Sequence, residues 1–294
     1  MLKFEFSNPM KHVLVVLFSL LILQGCSVLD PVEKSPAYLY LKPFEMVDSS
    51  YFYHGSIRHK IKDGWVYIND EYLGAFELPA KIPVLAEGPT KVVVSPGILT
   101  NGIAGTRSIY PGYRPFAKTI NFSPLKTDTL DLKTFYNAYL KFVVLEDFEL
   151  SNSFENIFNA DTTFYLDTLA PFEGKRSLAW TLEDSFPTVN FRTKSDFVIA
   201  GGGRPAFMEL DYRCNNPFSI YLDVSSSGGL VQYQFFVVNP KETWNKLYLN
   251  LTPAMAELPQ NSTIRLRFYS YFQSGTNKKG WGEIDNVKVF YTDN

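Results

Sequence analysis

The residues in this chain best suited to a recognisable chemistry are aromatic: Trp180, Tyr212, Tyr221, Trp244, Trp281 and the 269–272 run. Flat aromatic faces with polar groups beside them are what sugar rings stack against. Trp281, in a glycine-flanked segment after Lys278 and Lys279, is the leading glycan-contacting candidate, with Tyr271 and Trp180 beside it in the candidate set. The other rings fall inside strand-like patterns, where an aromatic side chain more often packs in a core. Catalytic chemistry is poorly represented. Glycoside hydrolysis needs two carboxylates facing each other across a cleft, and Glu183 and Asp184 are adjacent, so an extended backbone sends them to opposite faces. There is no Gly-x-Ser-x-Gly and no plausible Cys–His pair to activate a nucleophile. His54 and His59 are five apart, which places them on opposite faces of a strand and argues against zinc. Gly201-Gly202-Gly203 leads into Arg204-Pro205 rather than a helix, so it reads as a hairpin tip and not as a phosphate loop. Cys214 reads as a small buried hydrophobe. The chain is therefore expected not to be an enzyme.

These residues must be positioned by strands. Aromatic residues make up 16% of the chain, with 25 Phe and 18 Tyr against 4 Trp, a composition that favours sheet. Over 37–138, Trp65-Val66-Tyr67-Ile68 and Tyr72-Leu73-Gly74-Ala75-Phe76 flank the turn formers Asn69-Asp70-Glu71, a hairpin signal. A second turn, Glu87-Gly88-Pro89, separates apolar segments at 82–85 and 91–94, and a further strand runs through Ile120 and Phe122. From Tyr139 onward, alternating apolar and polar segments recur, from Lys141-Phe142-Val143-Val144 to Ile284-Asp285-Asn286-Val287. Strands at this spacing predict a jelly-roll sandwich over 139–294. The expected fold class is all-β, with two β-sandwich domains. With a formal net charge of −2, the chain lacks the basic surface that phosphate neutralisation requires, and nucleic acid is excluded as a partner.

Several segments resemble known families. Leu23-Gln24-Gly25-Cys26 follows an apolar stretch at 13–23 and a leader carrying Lys3, Lys11 and His12, and it resembles the lipobox of a bacterial lipoprotein. The apolar core is too short to span a bilayer. The resemblance implies removal of residues 1–25, diacylglycerol on the Cys26 thiol and an acyl chain such as palmitate on its amine. Ser27 in place of aspartate implies sorting to the outer membrane. Residues 26–36, polar and containing Pro31 and Pro36, then form a lipidated tether; its ten residues after Cys26 reach at most about 35 Å. With Cys26 lipidated, Cys214 has no disulfide partner. Gly64-Trp65-Val66-Tyr67-Ile68-Asn69-Asp70, Leu85-Ala86-Glu87-Gly88 and Pro111-Gly112-Tyr113 resemble a PEGA-like β-sandwich, a family of adhesive or structural envelope domains. Asp147-Phe148-Glu149, Gly174-Lys175-Arg176-Ser177-Leu178 and Ile284-Asp285-Asn286-Val287 resemble a carbohydrate-binding-module jelly roll. In that family the first and last strands are neighbours and hold a structural Ca²⁺, which implies Glu146, Glu149 and Asp285 as ligands and no other cofactor. Thr129, Thr162 and Thr168, each after an aspartate, resemble O-glycan acceptors of Bacteroidetes-like envelope proteins. Together these features imply a non-enzymatic outer-membrane lipoprotein, a binding or scaffold subunit of an envelope assembly with an outer-membrane protein partner. The alternative is a surface lipoprotein that captures polysaccharide with its jelly roll. A broad exposed apolar patch favours the first, and an exposed row of aromatics favours the second.

Overall fold

A computed structural model describes residues 13, 33–47, 51–199, 203–259, 262–273 and 278–293. Cys26, its lipobox and most of the tether lie outside the described residues, as do Gly201 and Gly202. No described helix is long and apolar enough to cross a membrane.

The first part of the chain forms β1 (Ala37–Leu41), β2 (Glu45–Met46), the helical turn α1 (Tyr51–His54), β3 (Asp63–Ile68), β4 (Glu71–Glu77), β5 (Ala80–Val84) and β6 (Gly88–Leu99). It continues with β7 (Arg107–Ile109), β8 (Phe116–Phe122), β9 (Thr127–Leu130) and β10 (Lys133–Thr134). One sheet runs β4-β3-β6-β7 with β8 also on β6; a second runs β5-β1-β9; β2 and β10 form a short parallel ribbon. The expected β3–β4 hairpin is present. Asn69 and Asp70 take φ of 49° and 67°, the left-handed pair that a twisted two-residue hairpin needs. The segment at Glu87-Gly88-Pro89 is a crossover between sheets, because β5 pairs with β1 while β6 pairs with β3 and β8. Strand β6 runs on through Pro96 and Gly97, and the Gly97 backbone lies against the Trp65 indole, where a Cβ would come within 2.8 Å of its Nε1. Alternation buries Leu39, Leu41, Val66, Val92, Val94 and Phe122 between the sheets.

The second part comprises β11 (Leu140–Glu146), β12 (Phe154–Asn156), β13 (Tyr165–Asp167), β14 (Ser177–Leu182), β15 (Thr188–Thr193), β16 (Ala206–Cys214) and β17 (Phe218–Ser226). It ends with β18 (Gly229–Val238), β19 (Lys241–Asn250), α2 (Thr252–Glu257), β20 (Thr263–Tyr271) and β21 (Gly280–Thr292). Two antiparallel sheets face each other, one in the order β13-β14-β21-β16-β19 with β11 on the far end of β21, the other β12-β15-β20-β17-β18. This is a jelly-roll sandwich in which the strand nearest its start, β11, pairs with its last, β21. Between the sheets lie Phe154, Trp180, Phe191, Phe218 and Phe268, with Phe191 and Phe268 stacked at 5.2 Å. Each such ring contributes on the order of 1.5–3 kcal/mol by leaving water.

A third apolar cluster joins the two parts. Tyr110, Tyr113 and Tyr136 pack on Phe207, Tyr248 and Phe290, which project from the outer face of the six-stranded sheet. Among the described residues, that face is therefore covered while the outer face of the five-stranded sheet is open.

Candidate functional site

The open face is set by residue parity along three strands. Inward residues of β20 are Ile264, Leu266 and Phe268, so Arg265, Arg267, Tyr269 and Tyr271 point out. In β17 the outward set is Ser219, Tyr221 and Asp223. Register then aligns Thr188 with Tyr271, Asn190 with Tyr269 and Ser219, and Arg192 with Arg267, Tyr221 and Gln234. Tyr271, Tyr269 and Tyr221 thus form a diagonal across the sheet. Tyr271 is 55% exposed, and Tyr269 meets Tyr221 edge-on at 6.5 Å.

Charge on this face is held in place. The Arg267 guanidinium lies 4.0 Å from the Tyr221 ring centre, and its Nε donates to Asp223 Oδ1 at 2.8 Å. Arg265 and Arg192 both donate to Glu155 Oε1 at 3.0 Å. Burial, with Tyr221 and Tyr271 nearby, pushes the Tyr269 phenol up, so it stays a neutral donor at physiological pH. Two oxygens near the tyrosines, Asn190 Oδ1 and Asp223 Oδ2, have no hydrogen-bond partner among the described residues, but both are buried and shut off from the open face. Aromatic rings side by side on an open sheet face suit a ligand with flat ring faces and hydroxyl groups at its edge.

The candidates named from sequence are dispersed. Of the three aromatics, Tyr271 lies on the open face. Trp180 is 1% exposed and packs on Phe191 and Phe218, so it is core and not a platform; its inward position in β14 decides this. Trp281 sits on the other sheet, half-buried, at the end of a ladder in which the Arg213 guanidinium lies 5.8 Å from its ring and 5.1 Å from Trp244. Arg213 in turn forks onto Glu283. Among the described residues no group of three or more metal-ligating side chains comes together. Glu146 accepts the Phe148 and Ser153 amides, Glu149 accepts those of Lys175 and Arg176, and Asp285 accepts those of Asn286 and Glu173. Thr129 and Thr168 are exposed and Thr162 is half-buried. Cys214 is buried in the core, and burial lifts its thiol to about 11, which keeps it protonated and inert.

A second polar cluster sits in the seam. Glu209, fully buried, accepts from Tyr110 at 2.6 Å and Tyr136 at 2.9 Å and pairs with Lys246 at 3.0 Å. Lys288 donates to Tyr136 Oη at 2.8 Å and to the Ser56 carbonyl. Burial opposes ionisation of Glu209, but Lys246 and Lys288 with the Tyr110 hydroxyl outweigh it and hold the carboxyl below its ordinary value. Burial takes Asp285 up to about 8, against the pull of the Asn286 and Glu173 amides. Burial and neighbouring Lys246 bring Lys288 down to about 7, with Glu209 resisting.

No family model matches the sequence, and no curated protein matches it. Among solved structures, the chain is similar to a xylan-binding domain of carbohydrate-binding-module family 22 from Paenibacillus barcinonensis, at 13% identity over 52% of this chain and 96% of that one, with a TM-score of 0.36. It is likewise similar to a family 11 carbohydrate-binding module from Clostridium thermocellum in complex with a β-1,3-1,4-mixed-linked tetrasaccharide, at 13% identity over 51% and 94% with a TM-score of 0.37. Values this low carry no argument about what this chain binds.

Proposed function

We propose that the chain is a non-catalytic glycan-binding lipoprotein, tethered at Cys26 in the outer membrane, that captures polysaccharide on the open face of its second sandwich. One observation carries the reading: the diagonal of Tyr271, Tyr269 and Tyr221 on the open face, with Tyr271 55% exposed. Stacking on the rings supplies affinity, and the buried Arg267–Asp223 pair holds the Tyr221 ring in place, which lowers the ordering cost at binding. Affinity electrophoresis through gels cast with soluble polysaccharides, paired with a glycan array, tests it. Retention by at least one glycan is expected, with Tyr221→Ala/Tyr269→Ala weakening it at least tenfold, about 1.4 kcal/mol. A wild-type chain retained by no polysaccharide, or a double variant retained as well as wild type, would end this reading.

The scaffold reading rests on the free edge of β18. Leu230, Val231, Tyr233 and Val237 are exposed there, on an edge strand without a charged residue. Co-purification of an outer-membrane protein from detergent extracts, lost in Val231→Lys, would favour that assignment.

A further inference from the structure

The seam between the two parts also holds a cavity of about 880 Å³, within the range that takes a drug-sized ligand. Its walls are Phe135, Phe142, Leu145 and Tyr53, the last 78% exposed. Its floor is Tyr136, on which the buried His54 ring stacks at 5.0 Å and 27°. That floor is rigid, because the Tyr136 hydroxyl is tied to Glu209 and Lys288 beneath it. Two cations, Arg114 and Lys141, stand in the lining, and among the described residues no Asp or Glu does. The chain as a whole is net negative at −2, so this concentration of positive charge runs against its average. Among the described residues, Lys141 has a single loose ion-pair partner, Asp293 at 3.6 Å, and Arg114 has none.

We propose that this cavity binds an organic anion with one carboxylate or phosphate head and an apolar body. The guanidinium of Arg114 presents the planar fork that matches either head bidentately, and Lys141 adds a point charge. The aromatic and aliphatic walls strip water from the body, which contributes affinity in proportion to apolar area. The site lies on a different part of the molecule from the tyrosine diagonal, so it stands or falls without the glycan reading.

Isothermal titration calorimetry on the full chain tests it with octanoate, octyl phosphate and 1-octanol as probes. The two anions separate the acyl-acid and phospholipid-like sources of the same chemistry. At least one is expected to bind with 1:1 stoichiometry and at least about tenfold more tightly than octanol. Arg114→Gln/Lys141→Gln should erase that preference with the unfolding temperature unchanged, since both side chains are exposed. Ala138→Glu, which places a carboxylate at an exposed lining position, should weaken the anions and leave octanol unaffected. Tyr221→Ala/Tyr269→Ala should leave anion binding intact. No binding by either anion, octanol binding as tightly as both, or an undiminished preference in the Arg114/Lys141 variant would overturn the proposal.

Discussion

Asp285 and Lys288 stand three residues apart on one buried strand and titrate in opposite senses. Asp285, at about 8 in the fold against an ordinary 3.8, holds a proton that the unfolded chain has lost. Its contribution to stability is complete below about pH 4 and is lost as pH rises through 8. Lys288, at about 7 against 10.5, does the reverse: its contribution is complete above about pH 10.5 and lost as pH falls through 7. Asp211, pushed up chiefly by burial, reinforces the first trend, while His59, pushed down by burial, opposes it only below its ordinary 6.5. Glu209, Glu173 and Lys246 complete the charges facing these groups. Calorimetric unfolding temperatures between pH 5 and 10 should therefore pass through a minimum between pH 7 and 8, and Asp285→Asn should flatten the acid-side branch. A wild-type profile that rises steadily across that range would show the assignment wrong. None of this was legible from sequence. In Glu209-Leu210-Asp211-Tyr212-Arg213 the charges alternate with apolar residues, which reads as a solvated face; only the packing of Tyr110 and Tyr136 over it makes that face an interior.

At the scale of elements, alternation made much more visible. In Thr263-Ile264-Arg265-Leu266-Arg267-Phe268-Tyr269-Ser270-Tyr271, parity separates core from open face, so Tyr269 and Tyr271 could be placed together before any fold was known. Trp180 failed the same test because Leu178, Trp180 and Leu182 share one parity and Ala179 and Thr181, too small to announce a surface, share the other. Register was not legible: that Asn190 stands beside Tyr269, and Arg267 beside Tyr221, depends on which strands become neighbours. Gly282 shows how tightly β21 is fitted, since a Cβ there would run into the Trp180 ring. Gly282→Val should cost about 1–3 kcal/mol through overpacking, read as a lower urea midpoint at unchanged slope. Gly228→Val, in the open turn between β17 and β18, is the control that should stay near wild type. Equal midpoints for the two variants would contradict the packing described.

At the scale of the molecule, one sheet of the second sandwich is spent on the first part and the other is left to the surroundings. The aromatic-covered seam makes the two parts hard to separate, and so do the hydrogen bonds that cross it, from Tyr110 and Tyr136 to Glu209 and from Lys288 to Tyr136; each such bond to a charged group is worth on the order of 1.5–3 kcal/mol. On the proposal that Cys26 carries a lipid, a short tether would hold the two-part body and its open face within a few nanometres of the membrane. Cys26→Ser is expected to shift the protein from the detergent phase to the aqueous phase in cloud-point partitioning and to abolish incorporation of labelled palmitate; unchanged partitioning would remove the anchor. The strand that organises the second sandwich is also the last one described. Gly280–Thr292 pairs with β11, β14 and β16, so the six-stranded sheet has no middle until those residues have been synthesised. The second sandwich must therefore stay open until β21 has followed the strands it joins, and the seam, which rests on Phe290 of that same strand, can close only afterwards, so the two parts are completed together and not one after the other.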